Sequence, residues 1–194
     1  MLRFGLIISA VVFVLDQFSK WLILGPGQFS PPGCREVGYN CRFIELTPFF
    51  DLQMVWNRGI SFGLLRADEG LARWGLVLSS LVIAGFFVWW LRTAERRVTA
   101  AALGLVIGGA IGNVIDRIRF GAVADFLDFN GLGFFPWVFN VADAAITCGA
   151  LLLAFDMIFL SEEPGKGTLW SQLKRRFSGP QGGAQNGSQG GEGG

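Results

Sequence analysis

The sequence contains no histidine among its 194 residues. Histidine is the usual catalytic base at neutral pH and a common zinc ligand, so Ser-His and Cys-His catalysis and the usual zinc sites are excluded. Charged residues make up only 16% of the chain and the net charge is +1. Nucleic-acid binding needs a clustered excess of Lys and Arg. Any chemistry must therefore use carboxylates, lysine or hydroxyls, and no nucleic-acid partner is expected.

Cysteine is also scarce, with three in the chain. Cys34 and Cys41 lie close together in a polar loop, whereas Cys148 lies in an apolar run. Disulfide connectivity cannot be deduced from sequence, so a Cys34–Cys41 disulfide and two free thiols both remain open.

Apolar residues are abundant, at 52% of the chain, and the mean hydropathy is +0.47. A helix needs about 20 apolar residues to cross a bilayer core. Four stretches have that length, namely 2–24, 71–91, 99–118 and 139–160. The sequence predicts a mainly α, multi-pass membrane protein built as a four-helix bundle.

Basic residues indicate the orientation of this bundle. The short link between the second and third helices carries Arg92, Arg96 and Arg97 against Glu95, and a basic run at 174–176 follows the fourth helix. Short cytoplasmic loops are enriched in Lys and Arg. We expect both termini to be cytoplasmic.

The outer loop at about 25–70 is too long for a simple connection. Residues 43–56 favour strands on either side of Pro48, which predicts a small outer β-cradle whose edge could bind an extended peptide. We expect a membrane domain over 1–160, an interfacial cytoplasmic segment over 161–177 and a disordered Gly-rich tail over 178–194.

Polar residues concentrate on one side of the predicted bundle. Because helices alternate in direction, the ends of the first and third helices and the start of the fourth lie together, near the outer surface. The residues at this level are Asp16, Lys20, Asn113, Asp116, Arg117, Asp125, Asn140 and Asp143. Ionisable residues inside a membrane are costly, so this layer is a candidate functional site.

The aspartates of this layer have different expected environments. Asp143 lies near the start of the fourth helix, where the ionised carboxylate is favoured. Asp125 lies in an apolar segment expected to fold back against the membrane, where burial raises the pKa. Two carboxylates brought together share a proton and supply a general acid and a general base. A helix cap or a salt bridge explains any single aspartate equally well.

Two other charged pairs also have structural explanations. Asp16 and Lys20 are four residues apart on one helix face, so an ion pair that holds the first helix and a catalytic role both remain open. Asp116 stands beside Arg117, which suits an ionised structural carboxylate.

A stripe of small residues at a spacing of four leads along the third helix to Asp116. Its members are Ala100, Gly104, Gly108 and Gly112. Such a stripe allows another backbone to approach closely. A substrate helix, the first helix or the fourth helix could occupy it.

Five short boxes in order resemble the motif set of the bacterial lipoprotein signal peptidase family, also called signal peptidase II. The segments at 16–20, 57–62, 108–117, 123–126 and 139–143 are similar to its DQxSK, NxGxxF, GGxxGNxxDR, VxDF and FNxAD boxes. Any one box occurs by chance, but five in order across four spans are specific.

The resemblance implies an intramembrane aspartic endopeptidase. It would remove signal peptides from diacylglyceryl-modified prolipoproteins, cutting on the amino side of the lipidated cysteine, as a monomer among membrane lipids and without metal or cofactor. The implied catalytic pair is Asp125 and Asp143, and Asp116 is the competing assignment. By the same resemblance, the substrate-binding or positioning residues are Asn57, Gly59, Asn113, Arg117 and Asn140, and the structural polar residues are Asp16, Lys20 and Asp116.

Carboxylates in spans also occur in ion pathways. A small transporter or proton channel is therefore the main rival, and a purely structural bundle is a third option. The polar residues lie in one plane rather than along a route across the membrane, which favours the peptidase.

Overall fold

The computed structural model describes residues 1–30, 34, 42–59, 69–133, 136–160, 162–163 and 167–168. The chain divides into two compact units, Met1–Ala154 and Phe155–Gly194. In the second unit, a π-helical turn at Asp156–Leu160 is followed by a short hairpin of β5 (Glu162–Glu163) and β6 (Gly167–Thr168). The predicted interfacial helix at 169–177 and the tail at 178–194 lie outside the described residues.

Among the described residues, four helices are long and apolar enough to cross a membrane, as predicted. They are α1 (Leu2–Leu24), α2 (Glu69–Thr93), α3 (Arg97–Phe120) and α4 (Val141–Phe155), the last continued by the π-helical turn. The fourth begins two residues later than expected, because Phe139 belongs to a strand and Asn140 caps the helix.

The central helix is α3. In its most apolar window 61% of the residues are buried, against 17% in each of the other three spans. One face packs on α2 through a cluster around Leu91, Leu103 and Ile107. Another face packs on α4, where Gly109 lies against the carbonyl of Ala142.

The small-residue stripe of α3 is occupied by α1. A Cβ on Gly104 would meet the carbonyl of Gly5, and a Cβ on Gly108 would meet the carbonyl of Ser9. The sequence left a substrate helix, the first helix and the fourth helix as possible occupants of this stripe, and the structure shows the first helix there. This close backbone approach brings Asp16 on α1 level with Gly112 and the polar end of α3.

Strands from two separate parts of the chain form one antiparallel sheet in the order β1-β2-β3-β4. They are β1 (Phe43–Thr47), β2 (Phe50–Asn57), β3 (Val123–Asp128) and β4 (Val138–Phe139). The β1–β2 hairpin confirms the predicted cradle. It connects α1 to α2, while β3 and β4 connect α3 to α4, so the sheet lies at the end of the bundle that carries the polar layer.

The segment around Asp125, which is expected to fold back against the membrane, forms a strand that the sequence did not predict. It is β3, with Asp125 opposite Val55 and Val123 opposite Asn57. Five of the six β3 residues are buried, so the segment lacks the alternation that identifies a half-exposed strand.

One face of the sheet packs on the ends of the helices. Met54, Trp56 and Ala124 form a buried cluster with Phe29, against which the end of α1 packs. Nearby, Cys34 is disulfide-bonded to a cysteine outside the described residues, whereas Cys148 is free. The opposite face of the sheet presents Asp125 to the polar layer.

Candidate active site

Lys20 lies at the centre of the polar layer. Its Nζ is 2.9 Å from Asp16 Oδ2, 2.8 Å from Asp116 Oδ2 and 3.3 Å from Asn113 Oδ1. Lys20 is 2% exposed and both carboxylates are fully buried. One ammonium between two carboxylates offsets much of the cost of burying the charges. The predicted Asp16–Lys20 ion pair is confirmed.

Asp116 is held by three donors from two other elements, α1 and β3. Besides Lys20, its carboxylate accepts hydrogen bonds from the backbone N–H of Ala124 at 3.2 Å and from Gln17 Nε2 at 3.3 Å. The cation paired with it is Lys20 rather than the adjacent Arg117, because neighbouring residues on a helix do not face each other. Asp116 therefore fastens α1 and β3 to α3.

Asp16 makes a corresponding link to the start of α4. Its Oδ1 accepts a hydrogen bond from the backbone N–H of Ala142 at 3.0 Å, while Oδ2 accepts from Lys20 and from Gln17 Nε2. Helix N-terminal N–H groups lack partners within the helix. Asp16 thus satisfies one of them from a different helix.

The first turn of α4 holds Asp143. Asn140 precedes the helix, and its Oδ1 accepts from the N–H of Asp143 at 3.0 Å, while Asp143 Oδ2 accepts from the N–H of Asn140 at 3.4 Å. This is a reciprocal capping box. The other oxygen, Asp143 Oδ1, accepts from Asn113 Nδ2 at 2.8 Å. The side chain of Asp143 is half-buried.

Asp125 receives a hydrogen bond on each carboxylate oxygen. Asn140 Nδ2 donates to Oδ1 at 2.6 Å, and Asn57 Nδ2 donates to Oδ2 at 2.9 Å. The residue is 1% exposed. Burial and the neighbouring charge of Asp143 raise the pKa of Asp125 to about 7, against the lowering effect of the two amide donors. The expected rise by burial is confirmed.

Three asparagines connect the two carboxylates to the rest of the layer. Asn140 touches both Asp125 and Asp143, and its Nδ2 also donates to Asn113 Oδ1 at 3.3 Å. Sequence reasoning placed Asp125 and Asp143 on one side of the membrane. It did not find that Asn140 joins them directly, and the short spacing between Asn140 and Asp143 was the only signal.

The loop after β2 places Gly59 at the edge of the site, beside Arg117 of α3. Gly59 has a φ of +84°, and its N–H donates to Asn57 Oδ1 at 2.8 Å. A Cβ on Gly59 would lie 3.5 Å from Arg117 Nη2. The guanidinium of Arg117 interacts electrostatically with Asp143 and Asp125. Residues 60–62 of the NxGxxF box lie outside the described residues.

The site therefore combines a half-buried carboxylate, a buried carboxylate able to hold a proton near neutral pH, and amide donors that fix both. No group of three potential metal-ligating side chains occurs in the part of the chain that the structure describes. Paired carboxylates of this kind perform general acid and base catalysis on a bound water.

Curated relatives resemble most of the chain. Lipoprotein signal peptidase of Beijerinckia indica is 50% identical over 163 residues, which cover 83% of this chain and 90% of the relative. That of Caulobacter vibrioides is 48% identical over 158 residues, covering 80% and 86%. That of Sphingopyxis alaskensis is 41% identical over 166 residues, covering 85% and 91%.

Solved structures share the fold. A bacterial membrane enzyme determined by the in meso method at 1.9 Å resolution superposes with a TM-score of 0.65 at 24% identity, covering 81% of this chain and 94% of that one. A second, at 2.3 Å resolution, gives a TM-score of 0.61 at 25% identity, covering 82% and 92%.

A family model agrees with these relatives over most of the membrane domain. The model described as Signal peptidase (SPase) II matches residues 8–159, a range that contains every residue of the polar layer. The chain belongs to the signal peptidase II family.

Proposed function

We propose that this protein is an intramembrane aspartic endopeptidase that removes signal peptides from diacylglyceryl-modified prolipoproteins, cutting on the amino side of the lipidated cysteine. Membership of the signal peptidase II family and the similarity to lipoprotein signal peptidases support the activity and the substrate. The family gives no support to the transporter or proton-channel alternative.

The observation that carries the catalytic assignment is the connection of Asp125 and Asp143 through Asn140. The side-chain amide of Asn140 donates to the carboxylate of Asp125 and accepts from the backbone N–H of Asp143, and burial with the neighbouring charge of Asp143 raises the pKa of Asp125 to about 7. Asp143, half-buried and capped by hydrogen-bond donors, serves as the base. Asp125 serves as the acid, because it retains a proton near neutral pH.

Hydrolysis then follows the general acid–base route. Asp143 takes a proton from a water molecule whose oxygen attacks the scissile carbonyl carbon, and Asp125 gives its proton to the carbonyl oxygen. When the tetrahedral species collapses, the C–N bond breaks and Asp143 passes its proton to the leaving amine. Asp125 regains a proton from the hydroxyl as the carbonyl forms again. Both carboxyls return to their starting states.

Asp116 is assigned a structural role in this scheme. Its carboxylate is fully buried and is occupied by Lys20, Gln17 and the N–H of Ala124. Both oxygens of the carboxylate are occupied by these donors, so neither is free to contact a substrate. Asp16 is occupied in the same way.

We place the protein in the bacterial inner membrane with both termini in the cytoplasm and the active site near the outer surface. The support is the basic link at Arg92, Arg96 and Arg97, which lies at the opposite end of the helices from the sheet. The signal peptide's apolar helix enters sideways from the lipid, with the lipidated cysteine held beside the polar layer.

The enzyme acts as a monomer in this proposal. The residues that hold Asp125 and Asp143, namely Asn57, Asn113 and Asn140, all belong to the same chain. Asn57, Gly59 and Arg117 border the two carboxylates and are assigned to substrate contact. No second copy is needed to complete the site.

The decisive experiment follows release of the signal peptide from a lipidated prolipoprotein by the purified full-length protein. Asp125→Asn and Asp143→Asn should each lower turnover by about 10³-fold, because each removes one proton-transfer group. Asp116→Asn should mainly lower the unfolding temperature. Asp128→Asn is the matched control, since Asp128 is a buried β3 carboxylate that bonds the N–H of Asn130 instead of the site.

Two outcomes contradict the proposal separately. Wild-type turnover by folded Asp125→Asn or Asp143→Asn protein removes the catalytic assignment. Equal cleavage of the same prolipoprotein without its diacylglyceryl group removes the substrate assignment.

A further inference from the structure

Among the hydrogen bonds of the described residues, Lys20 makes none to Asp125 or Asp143. The side chain of Asn113 nevertheless links it to Asp143. An ammonium group has three N–H donors and no acceptor. In this structure the three acceptors are Asp16 Oδ2, Asp116 Oδ2 and Asn113 Oδ1. The carboxylates of Asp16 and Asp116 neutralise the charge of Lys20. The third acceptor, Asn113 Oδ1, belongs to a neutral amide that also contacts Asp143.

The contact with Lys20 fixes the orientation of the Asn113 amide. Because Lys20 can only donate, the Asn113 atom that faces it must be the oxygen. The amide nitrogen therefore points away from Lys20, and it donates to Asp143 Oδ1 at 2.8 Å. A rotated amide would place its oxygen against the carboxylate of Asp143, which is repulsive.

The other two asparagines are oriented by the main chain. The N–H of Gly59 faces Asn57 Oδ1, and the N–H of Asp143 faces Asn140 Oδ1. Each contact turns the NH₂ group of the amide toward Asp125. Asn113 lies inside α3, so its side-chain oxygen is oriented by Lys20, assisted by Asn140 Nδ2.

We propose that Lys20 is a positioning residue of the peptidase, whose third N–H locks the Asn113 amide so that it donates to Asp143 and keeps that carboxylate ionised as the base. This inference rests on the proposed function. It gives α1 a part in catalysis that its ion pairs with Asp16 and Asp116 alone do not require.

Several charged groups lie around Asp143. Asp125 on β3 and Arg117 on α3 interact with it electrostatically. One residue further away are Asp16 and Lys20 on α1 and Asp116 on α3, which contact Ala142, Asn113 and Ala124. Removing the charge of Lys20 would act on Asp143 directly as well as through Asn113. The experiment must therefore separate the effect transmitted by the amide from the effect of the charge.

A double-mutant cycle between Lys20 and Asn113 makes this separation in the full-length protein. Lys20→Met should lower kcat about tenfold, leave KM within about twofold, and move the acid limb of the kcat–pH profile upward by about one unit. In an Asn113→Ala background the same change should alter kcat by less than about twofold, because the amide that transmits the effect is gone. If the fold losses of kcat in the two single variants multiply in the double variant, the two residues act independently and the proposal is overturned.

Gln17→Leu is the matched control. Gln17 also contacts both Asp16 and Asp116, but its described hydrogen bonds do not include Asn113. This variant should lower the unfolding temperature without moving the pH profile, and an equal pH shift in Gln17→Leu would also overturn the proposal.

The charge-balanced variant Lys20→Met/Asp16→Asn is measured if the single variant does not fold. It returns the cluster to its wild-type net charge of one negative unit. The amide oxygen introduced at position 16 can still accept from the N–H of Ala142. It should show the same acid-limb shift, and an unshifted limb counts against the proposal. These results are distinct from failure of the proposed function, in which the wild-type protein itself would not cleave the lipidated substrate.

Discussion

Asn140 and Asp143 cap each other across the first turn of α4, since each accepts a hydrogen bond from the backbone N–H of the other. The amide nitrogen of Asn140 is left over, and it donates to Asp125 Oδ1 at 2.6 Å. One side chain thus caps the fourth helix at the backbone N–H of Asp143 and binds the carboxylate of Asp125.

The two tasks of Asn140 can be separated by substitution. Serine is as good an N-cap as asparagine but has no amide to donate to Asp125. Asn140→Ser should keep most of the stability and lose about tenfold in kcat, since a buried acceptor left without its donor costs roughly 1–3 kcal/mol. Asn140→Ala should lose the activity and a further ~1 kcal/mol of stability. Thermal unfolding and turnover of both variants test this, and full activity in Asn140→Ser would contradict it.

The pKa of Asp125 gives the pH dependence a definite sign. As the acid, Asp125 must carry a proton, and its pKa is about 7. We expect kcat/KM to fall as pH rises through about 7, because kcat/KM reports the pKa values of the free enzyme. The pH profile of kcat/KM of the wild-type enzyme on lipidated substrate measures this, and a value that stays constant well above neutral pH would show that Asp125 is not the acid.

The pH dependence of folding stability provides an independent measurement of the pKa of Asp125. The folded pKa lies above the ordinary value of 3.8, so the folded state holds a proton that the unfolded state releases. Its stabilising effect is complete below about pH 4 and is lost as pH rises through about 7. Asp125→Asn does not titrate, and should therefore be more stable than wild type at pH 8 by a margin that shrinks on acidification.

Gly59 is predicted to matter through Asn57. Alanine at a positive φ is strained by roughly 1–2 kcal/mol, and at Gly59 its Cβ would also lie 2.6 Å from Leu76 Cδ1. Moving the loop removes the N–H that orients Asn57 toward Asp125. Gly59→Ala should lower kcat about tenfold, because Asp125 loses one of its two amide donors.

Gly133→Ala is the control for this prediction. Gly133 has a similar φ of +76°, and a Cβ there would meet no atom within 4 Å. It should show a comparable loss of stability with unchanged turnover. Equal kcat for the Gly59 and Gly133 variants would remove Asn57 orientation as the explanation.

Local spacing was sufficient to predict several of these features. The apolar runs predicted the four helices, and the bounds of α1 were found at Leu2 and Leu24. The spacing of four predicted the Asp16–Lys20 pair. Pro48 between β-type residues predicted the β1–β2 hairpin.

Contacts between distant parts of the chain could not be read in the same way. Lys20 and Asn113 are 93 positions apart, and Asn57 and Asp125 are 68 apart. Such contacts depend on which helix occupies the glycine face of α3 and on how β2 pairs with β3. β3 itself was missed because five of its six residues are buried, so its sequence lacks the alternation of apolar and polar residues that identifies a half-exposed strand. At the level of the sequence, the choice of Asp125 over Asp116 as a catalytic residue rested on family resemblance. The structure adds a physical reason for that choice, because the carboxylate of Asp116 is already occupied by Lys20 and the N–H of Ala124.

The two proposed catalytic carboxylates lie on β3 and on α4, the last of the four membrane helices among the described residues. During synthesis, a ribosome-bound chain that ends before Asn140 carries Asp125 without Asp143 or the side chain that connects them. Under the proposed assignment, the nascent protein therefore becomes able to cleave only after α4 has been made. We expect a molecule whose fourth helix fails to insert to remain inert toward the signal sequences that pass through the same membrane.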